Sequence, residues 1–373
     1  MQATNFIPTV DPNPLPAPYW VLKLLLIVTF YLHILAMNFM MGGAVLALVG
    51  RWRSGNRAFA VRSFFDVGRK LPSLVAATIT LGIAPLLFLQ VIYGQYFYTS
   101  SIVMAWPWLL LLAMLTFAYY GFYLAASQDE QNFGRAGWIV SVSLLLIFSI
   151  GFLFTNNVTL SQTPARWAAK YFHDPQGWNL NLSEPTLIPR YLHFFTAAVA
   201  VGGLFLVLIA LKRWKAEAEY ARYVFQFGGN AFRYATMTQF LVGTWFLVSL
   251  PRDKRMLFLG DNTLATTLLI LGVAGALGAI MVVGNALQKD NVRLAAYGGS
   301  GLTAFVILCM SVMRDILRDA YLQPYFHPEQ FAVKTQWSVF PLFLALFVAG
   351  VIFWLVMMKR YGFFGGAPGS EMK

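Results

Sequence analysis

The sequence has few of the residues on which disulfide-rich proteins and soluble enzymes depend. It contains one cysteine, Cys309, and four histidines among 373 residues. A single cysteine excludes an intrachain disulfide framework, a cysteine-rich metal site and the C-x-x-C-H attachment motif of c-type haem. Only 11% of the residues are charged, against about 25% in a soluble domain, and 58% are hydrophobic. The composition therefore predicts a polytopic membrane protein.

Acidic residues are the scarcer charged class, because 15 of them stand against 27 lysines and arginines and the net charge is +12. In a membrane protein this excess is typical of cytoplasmic loops and of surfaces that contact anionic lipid head groups. We therefore expect anionic lipids as partners and no nucleic acid. Every carboxylate is predicted to lie in a linker, so that no span contains a titratable acid.

Long apolar runs are abundant. A span needs about 20 mostly apolar residues. Nine stretches qualify, namely 20–50, 71–92, 103–126, 137–157, 189–211, 234–250, 263–285, 296–313 and 338–358. Placing the N-terminus outside assigns 17 of the 27 basic residues to the inner side and nine to the outer side. Since positive charge marks the cytoplasmic side, we predict an all-α integral membrane protein of nine transmembrane helices, N-out and C-in.

Short motifs recur at nearly constant spacing. His33 and His193 each end a Tyr-Leu-His triplet nine residues before a Gly-Gly pair, and they are 160 positions apart. Gly82 and Gly243, in the second and sixth spans, are 161 apart. Spans 1–4 are therefore predicted to be duplicated as spans 5–8, with a ninth helix appended. Four spans return the chain to its starting side, so the two repeats run in the same direction and form two four-helix bundles with room for flat ligands.

This organisation divides the chain into seven segments. No basic segment precedes an apolar one at the start, so no cleaved signal peptide is expected. The predicted segments are an outer N-terminal segment 1–19, the first four-helix repeat 20–160, an outer loop 161–188, the second four-helix repeat 189–320, an outer loop 321–337, the ninth helix 338–358 and a cytoplasmic tail 359–373.

Two histidines are candidate cofactor ligands, His33 near mid-membrane and His193 near the outer end of its span. Lipid offers an ionisable side chain no hydrogen-bond partner, so a functional role is the default hypothesis. We interpret them as axial ligands to haem iron, with the Gly-Gly pairs leaving room for the macrocycle. The alternative is a neutral histidine bonded to a carbonyl or to a hydroxyl such as that of Thr196, with the glycines serving helix packing. His173 and His327 lie beside prolines and are interpreted as outer-loop residues.

Three basic residues, Arg252, Lys254 and Arg255, fall on the side where positive charge is scarce. They are candidates to pair with haem propionates or to attract an acidic electron donor, because both groups present carboxylates. The alternative is a solvated turn that nearby aspartates partly balance.

Taken together, these features resemble subunit I of the cytochrome bd oxidases. That family has a Tyr-x-His in helix 1 and a histidine in helix 5 after a long outer loop. The run Asn157-Val-Thr-Leu-Ser-Gln162-Thr-Pro164 is similar to its Asn-Gly-Trp-Met-Gln-x-Pro, and Pro107 resembles the proline before its two helix-3 glutamates. Through these short motifs the resemblance extends over nearly the whole chain.

The resemblance implies one to three haems b and a set of residues that hold them. His33 would ligate the active-site haem and His193 the electron-entry haem. Asp315-Ile-Leu-Arg318, at the end of helix 8, resembles the family's Glu-x-x-Arg, which implies that Asp315 ligates a third haem and that Arg318 binds cofactor. Met256 is the nearest counterpart of the entry haem's methionine. From the residues alone, the end of helix 8 is better interpreted as a salt-bridged cluster.

Other positions depart from the family pattern. Leu111 and Tyr119 stand where the family has the glutamates that serve oxygen reduction and its proton supply. The large quinol-oxidation loop shrinks to residues 251–262. The sequence therefore resembles a divergent member without the quinol site. Since proton delivery through a membrane needs titratable groups or ordered water, it also favours electron relay over oxygen reduction.

The predicted function is that of a multi-pass haem b subunit that transfers electrons in a respiratory complex of a prokaryotic inner membrane. Other membrane subunits and a c-type cytochrome at the outer face are the expected partners. Three alternatives remain open: an oxygen-reducing terminal oxidase subunit, a haem-free quinone-reactive anchor of the polysulfide-reductase type, and a small-molecule transporter suggested only by the repeat.

Overall fold

A computed structural model of the protein describes residues 7–8, 13–51 and 57–360, with only the backbone of residues 330 and 358–360. The predicted cytoplasmic tail therefore lies outside the described residues from position 361 onward.

The described chain is helical almost throughout. Two π-helical turns, Leu257–Asp261 and Leu294–Gly299, precede α10 and α11. The α-helices are α1 Tyr19–Arg51, α2 Arg57–Gly68, α3 Leu71–Val103, α4 Ala105–Ala126, α5 Phe133–Ser161, α6 Trp167–His173, α7 Leu187–Arg213, α8 Ala218–Ser249, α9 Arg252–Met256, α10 Thr263–Gln288, α11 Ser300–Leu322 and α12 Val339–Arg360.

Eight helical segments of the described chain are long and apolar enough to cross a membrane, and the protein is a multi-pass membrane protein. They contain α1, α2 with α3, α4, α5, α7, α10, α11 and α12. The remaining predicted span, 234–250, falls in α8, which is 32 residues long but is not among these eight. Its polar side chains, among them Arg233 and Gln239, lower its mean hydropathy. Nine spans and the N-out orientation therefore remain predictions.

The centre of the fold is a close crossing of α1 and α7. A Cβ atom added to Gly42 would meet the backbone oxygen of Ala198 and, at 2.9 Å, the Cα atom of Gly202. Only residues without a side chain allow two helix backbones to approach this closely. The first glycine of each Gly-Gly pair, Gly42 and Gly202, thus forms the backbone contact between α1 and α7, while Gly203 faces α8.

The two helices run in the same direction. On the side predicted to be inside, Arg213 at the end of α7 lies 3.3 Å from Asp66 of α2, which follows α1. On the opposite side, Lys23 near the start of α1 lies 2.7 Å from Asp319 near the end of α11. The N-terminal ends of α1 and α7 therefore share the side that the sequence predicts to be outside.

Helix bounds agree with one offset between the predicted repeats. Shifting α4 by 160 positions gives 265–286, which lies inside α10. The same shift of α5 gives 293–321, which matches Leu294–Leu322, the second π-helical turn and α11 together. Gly42 and Gly202, which touch each other, are also 160 apart. These relations support the duplication, which remains a prediction.

Candidate functional site

The imidazole of His33 is held by α3. Its Nδ1 lies 2.9 Å from the backbone oxygen of Thr78. A carbonyl oxygen only accepts, so Nδ1 carries the proton and the lone pair of Nε2 remains for another partner. Gly82 lies one turn further along α3, where an added Cβ would come within 2.9 Å of the ring. A backbone acceptor on Nδ1 is the arrangement that orients metal-ligating histidines.

The imidazole of His193 is placed similarly but bonded differently. A Cβ added to Gly243 of α8 would lie 3.2 Å from the ring, while Nδ1 is buried and has no hydrogen-bond partner among the described residues. The Gln239 amide donates to the His193 backbone oxygen at 2.8 Å. The Thr196 hydroxyl bonds to the Leu192 oxygen at 2.8 Å and to Gln239. The Thr196 hydroxyl, which the sequence suggested as a partner for the His193 ring, is therefore bonded to other groups.

Relative to the α1–α7 crossing, the two histidines lie at equivalent positions along their helices. Each is nine residues before a glycine of the α1–α7 crossing, and each helix is continuous over that stretch. Nine residues of α-helix rise about 13.5 Å. Because the two helices are parallel, His33 and His193 lie on the same side of the crossing, toward the predicted outer face. Contact between the equivalent glycines of α1 and α7 sets this relative position, which cannot be read from the lengths of the helices.

Apolar side chains from three helices form a cluster that includes chain neighbours of both histidines. Ile34 of α1, Val201 of α7 and Ile307 of α11 form a buried cluster, against which Phe30 and Phe194 pack. Ile34 and Phe194 directly follow the two histidines in the chain. The cluster presents apolar surface, which is the kind of lining that a flat macrocycle requires.

The end of α11 carries an ion-pair network that includes Asp315 and Arg318. Asp315 Oδ2 is bound by Lys23 Nζ, and its Oδ1 accepts from Arg318 Nη1 at 2.8 Å. Lys23 Nζ also binds Asp319 at 2.7 Å and the Tyr93 hydroxyl at 2.9 Å. Both oxygens of Asp315 are thus engaged by cations, which is the salt-bridged alternative rather than a free iron ligand.

The structure corrects the assignment of Asp315 to a linker, because this residue lies within α11. α11 continues nine residues beyond the predicted end at position 313, and Asp315 is only 5% exposed within it. Lys23 and Arg318 compensate its charge, so the helix continues without leaving an isolated anion in an apolar setting. Lys23 is the one feature of the sequence that indicates this ion pair, because it is a lone cation within the first apolar run.

The short segment between α8 and α10 has the contacts of a solvated turn. Arg252 is exposed, and Arg255 Nη1 donates to the Val248 backbone oxygen at 3.1 Å. Lys254 lies 3.0 Å from Asp253, and its hydrogen bond holds the pKa of that carboxyl below its usual range. Met256 ends α9 and is partly buried. Arg252, Arg255 and Met256 keep their cofactor roles only as predictions.

The run from Asn157 to Pro164, at the end of α5, joins three helices. Asn157 Nδ2 donates to Ser101 of α3 at 3.1 Å, and Gln162 accepts from Arg190 of α7 at 3.0 Å. Pro164 begins the 3₁₀ turn that leads into α6. The run therefore fixes the predicted outer ends of α3, α5 and α7 against one another.

The two remaining histidines lie outside the long helices: His173 is in the short helix α6, within the predicted outer loop 161–188, and His327 is in the loop after α11. His173 ends α6 and lines an open cavity of about 550 Å³ with Arg166, Lys170 and Trp178. His327 is exposed, with its Nδ1 3.5 Å from Glu329. The described residues contain no cluster of three or more His, Cys, Asp or Glu side chains that is able to hold a metal ion.

Comparison with known proteins shows a similarity of fold to one solved structure. No family model and no curated protein matches the chain. Among solved structures it is similar to a chain of the bd oxidase from Geobacillus thermodenitrificans, with a TM-score of 0.73 and 13% identity over 93% of this chain and 99% of that chain. At this identity the likeness shows the fold alone. The resemblance to the cytochrome bd superfamily is thereby confirmed at the level of the fold.

Proposed function

We propose that the protein is a haem b-containing membrane subunit that transfers electrons in a respiratory complex. The observation that carries the proposal is the pairing of each intramembrane histidine with a glycine of the next long helix. At His33 the pairing comes with an Nδ1 bond to a backbone oxygen, which leaves Nε2 as a ligand.

The residues present fit haem. His33 and His193 would hold it, since imidazole is a common axial ligand. A bound haem supplies one-electron redox chemistry. The protein's own part is to fix the imidazoles against Gly82 and Gly243 and to keep water away with the cluster around Ile34. The bd oxidase likeness of the fold supports the same cofactor class.

A c-type cytochrome at the predicted outer face is the proposed electron donor. Both histidines lie on that side of the α1–α7 crossing, which shortens the path from an outer donor. The segment that would replace a quinol-oxidation domain is only α9 and a π-helical turn, with Phe258 buried against the bundle. Other membrane subunits are proposed to cover apolar surface, such as that of α12, whose apolar window has no buried residue.

Terminal oxidase activity is the second candidate, because the matched fold is that of a bd oxidase chain. Two positions argue against it. Leu111 packs into an apolar cluster, and the Tyr119 hydroxyl lies 3.4 Å from that of Tyr123. Neither position supplies a carboxylate for protons. We therefore propose electron relay as the main activity, in the cell membrane of a prokaryote, with the two four-helix repeats arranged around α1 and α7.

The test is spectroscopic and uses the purified full chain. We expect a reduced-minus-oxidised spectrum of haem b and one to three haems by pyridine haemochrome quantification. His33→Ala and His193→Ala should each lose haem, while His327→Ala, at an exposed loop position, should lose none. A folded protein without a Soret band would refute the proposal and leave the haem-free quinone-reactive anchor as the better explanation.

A second measurement separates relay from oxidase. Haem reduction by a reduced c-type cytochrome should be fast, whereas short-chain quinols alone should not reduce it. Oxygen consumption with a saturating reductant should be negligible beside that rate. Sustained, cyanide-tolerant consumption that Asp315→Asn abolishes would establish the oxidase instead.

A further inference from the structure

The predicted outer end of the bundle holds more positive than negative charge. Four cations project there from α1, α7 and α11, and two carboxylates accompany them on α11. Lys23 and Arg318 are paired with Asp315 and Asp319, as described above. The next carboxylate, Glu184, is taken by Arg166 at 2.9 Å and by the Thr186 hydroxyl at 3.0 Å. Two arginines, Arg190 and Arg314, therefore remain without a carboxylate.

Arg190 is buried with donors to spare. It is 5% exposed, and only its Nη1 has a partner, the neutral side chain of Gln162 at 3.0 Å. Its Nε and Nη2 are buried and have no hydrogen-bond partner among the residues that the structure describes. Its guanidinium lies over the ring of Phe246, 5.2 Å from the centroid. A buried guanidinium with two free donors is costly unless an anion completes it.

Arg314, which is only partly buried, also has no carboxylate partner among the described residues. Its guanidinium lies 4.1 Å from the centroid of Phe30. No ion pair or hydrogen bond joins it to the described residues, although Asp315 is its neighbour in sequence. The charges of Arg190 and Arg318 are close enough to repel it. The fold thus brings like charges together, and among the described residues neither Arg190 nor Arg314 has an ion-pair partner of its own.

Each of these arginines lies one helical turn outward from one of the histidines. Arg190 is three residues before His193 on α7, and Phe246 touches both side chains. Phe30, whose ring contacts the Arg314 guanidinium, is three residues before His33 on α1. Three residues rise about 4.5 Å, and positions i and i+3 share a helix face. Each imidazole therefore has a cation on its predicted outer side.

We infer that Arg190 and Arg314 bind the propionate carboxylates of the haems at His193 and His33, respectively. The inference rests on the proposed function and adds the orientation of each macrocycle, with propionates toward the predicted outer face. Guanidinium suits the role because its planar fork donates two parallel hydrogen bonds to one carboxylate. A lipid phosphate offers similar chemistry, so the experiment has to distinguish the two sources.

The experiment is haem exchange in the purified full chain, with free-acid haem b competing against its dimethyl ester. The unaltered protein should prefer the free acid. Arg190→Gln should reduce that preference about tenfold or more at the His193 haem, and Arg314→Gln at the His33 haem, as expected for charge-assisted hydrogen bonds. Arg190→Lys and Arg314→Lys retain the charge and should keep part of the preference. Lys334→Gln removes an exposed outer charge and should change nothing.

The outcomes separate this inference from the proposed function. A protein that takes up neither haem refutes the proposed function. A protein that binds haem but discriminates equally before and after both glutamine substitutions refutes the role of the arginines. Unchanged discrimination together with loss of co-purified phospholipid in the glutamine variants would assign the arginines to a lipid phosphate. If a glutamine variant fails to fold, the corresponding lysine variant decides, since an equal preference for acid and ester there also refutes the inference.

Discussion

At the scale of single residues, the two histidines differ in the atom that orients each ring. His33 has a backbone acceptor on Nδ1, and His193 has none among the described residues. Each imidazole ring packs against a glycine, so the missing side chains at positions 82 and 243 determine where the rings lie. The glycines are therefore as much part of the candidate site as the histidines.

Gly82→Ala should displace the His33 ring. The new methyl group would lie 2.9 Å from two ring atoms, closer than real Cβ atoms come, so the ring must shift and its bond to Thr78 is lost. We expect loss of the haem at His33 in a pyridine haemochrome assay, and a smaller effect for Gly243→Ala, where the distance is 3.2 Å. Gly301→Ala, with nothing within 4 Å, is the matched control. Full haem content in Gly82→Ala would contradict this account of the site.

Asp315→Asn should destabilise the protein rather than alter its haem. The substitution leaves Lys23 and Arg318 without the carboxylate that pairs with both. Removing one partner of a buried ion pair costs about 3–5 kcal/mol, so the thermal midpoint should fall. Lys23→Met combined with Asp315→Asn should recover part of the loss. An altered Soret spectrum in Asp315→Asn at unchanged stability would instead support Asp315 as an iron ligand.

At the scale of elements, the crossing of α1 and α7 is the contact that determines where both histidines lie. The crossing is between equivalent glycines of the two predicted repeats. The buried residues of both helices concentrate on the inner half, from Met40 in α1 and from Ala198 in α7. The outer half is less tightly packed and contains the histidines.

Gly202→Ala should wedge the two helices apart. A Cβ atom at this position would meet the Gly42 backbone carbonyl carbon and, at 2.6 Å, its oxygen. Backbone atoms cannot change rotamer to relieve the clash. Overpacking costs typically 1–3 kcal/mol, so about this loss is expected in thermal or denaturant unfolding. The haems at both histidines should weaken together. Gly134→Ala in α5, which has open space around it, should leave stability and haem content unchanged.

At the scale of the whole molecule, the orientation follows from charge. The predicted inner side holds most lysines and arginines, and Arg57 is exposed at the start of α2. Lys334 is exposed in the predicted outer loop. The one cysteine, Cys309, is buried, so a background without reactive thiols needs a single replacement.

In that background, Lys334→Cys should react with a membrane-impermeant maleimide in intact cells. Arg57→Cys should react only after the membrane is permeabilised, because positive charge marks the cytoplasmic side. Labelling of intact cells at position 57 and not at position 334 would reverse the predicted orientation. It would also move both histidines to the inner half and remove the argument for an outer electron donor.

Composition and apolar runs were enough to predict a multi-pass helical membrane protein, and the resemblance of short motifs to the cytochrome bd family implied the fold. Burying backbone in lipid permits few architectures, so such runs are nearly sufficient for the class. The same reasoning identified His33 and His193, because an ionisable group in an apolar run is expensive and stands out. The polar helix α8 gave a weaker signal, because a residue such as Gln239 finds its partner only once the helix packs against α7.

Tertiary structure alone decided which side chains meet. Lys23 and Asp315 are far apart in the chain, so their pairing, and with it the extension of α11 to Leu322, depends on the packing of α1 against α11. The surplus of charge at Arg190 and Arg314 appears only after those pairs are formed. Local sequence fixes helices because their hydrogen bonds are local, whereas the balance of buried charge depends on contacts between distant segments.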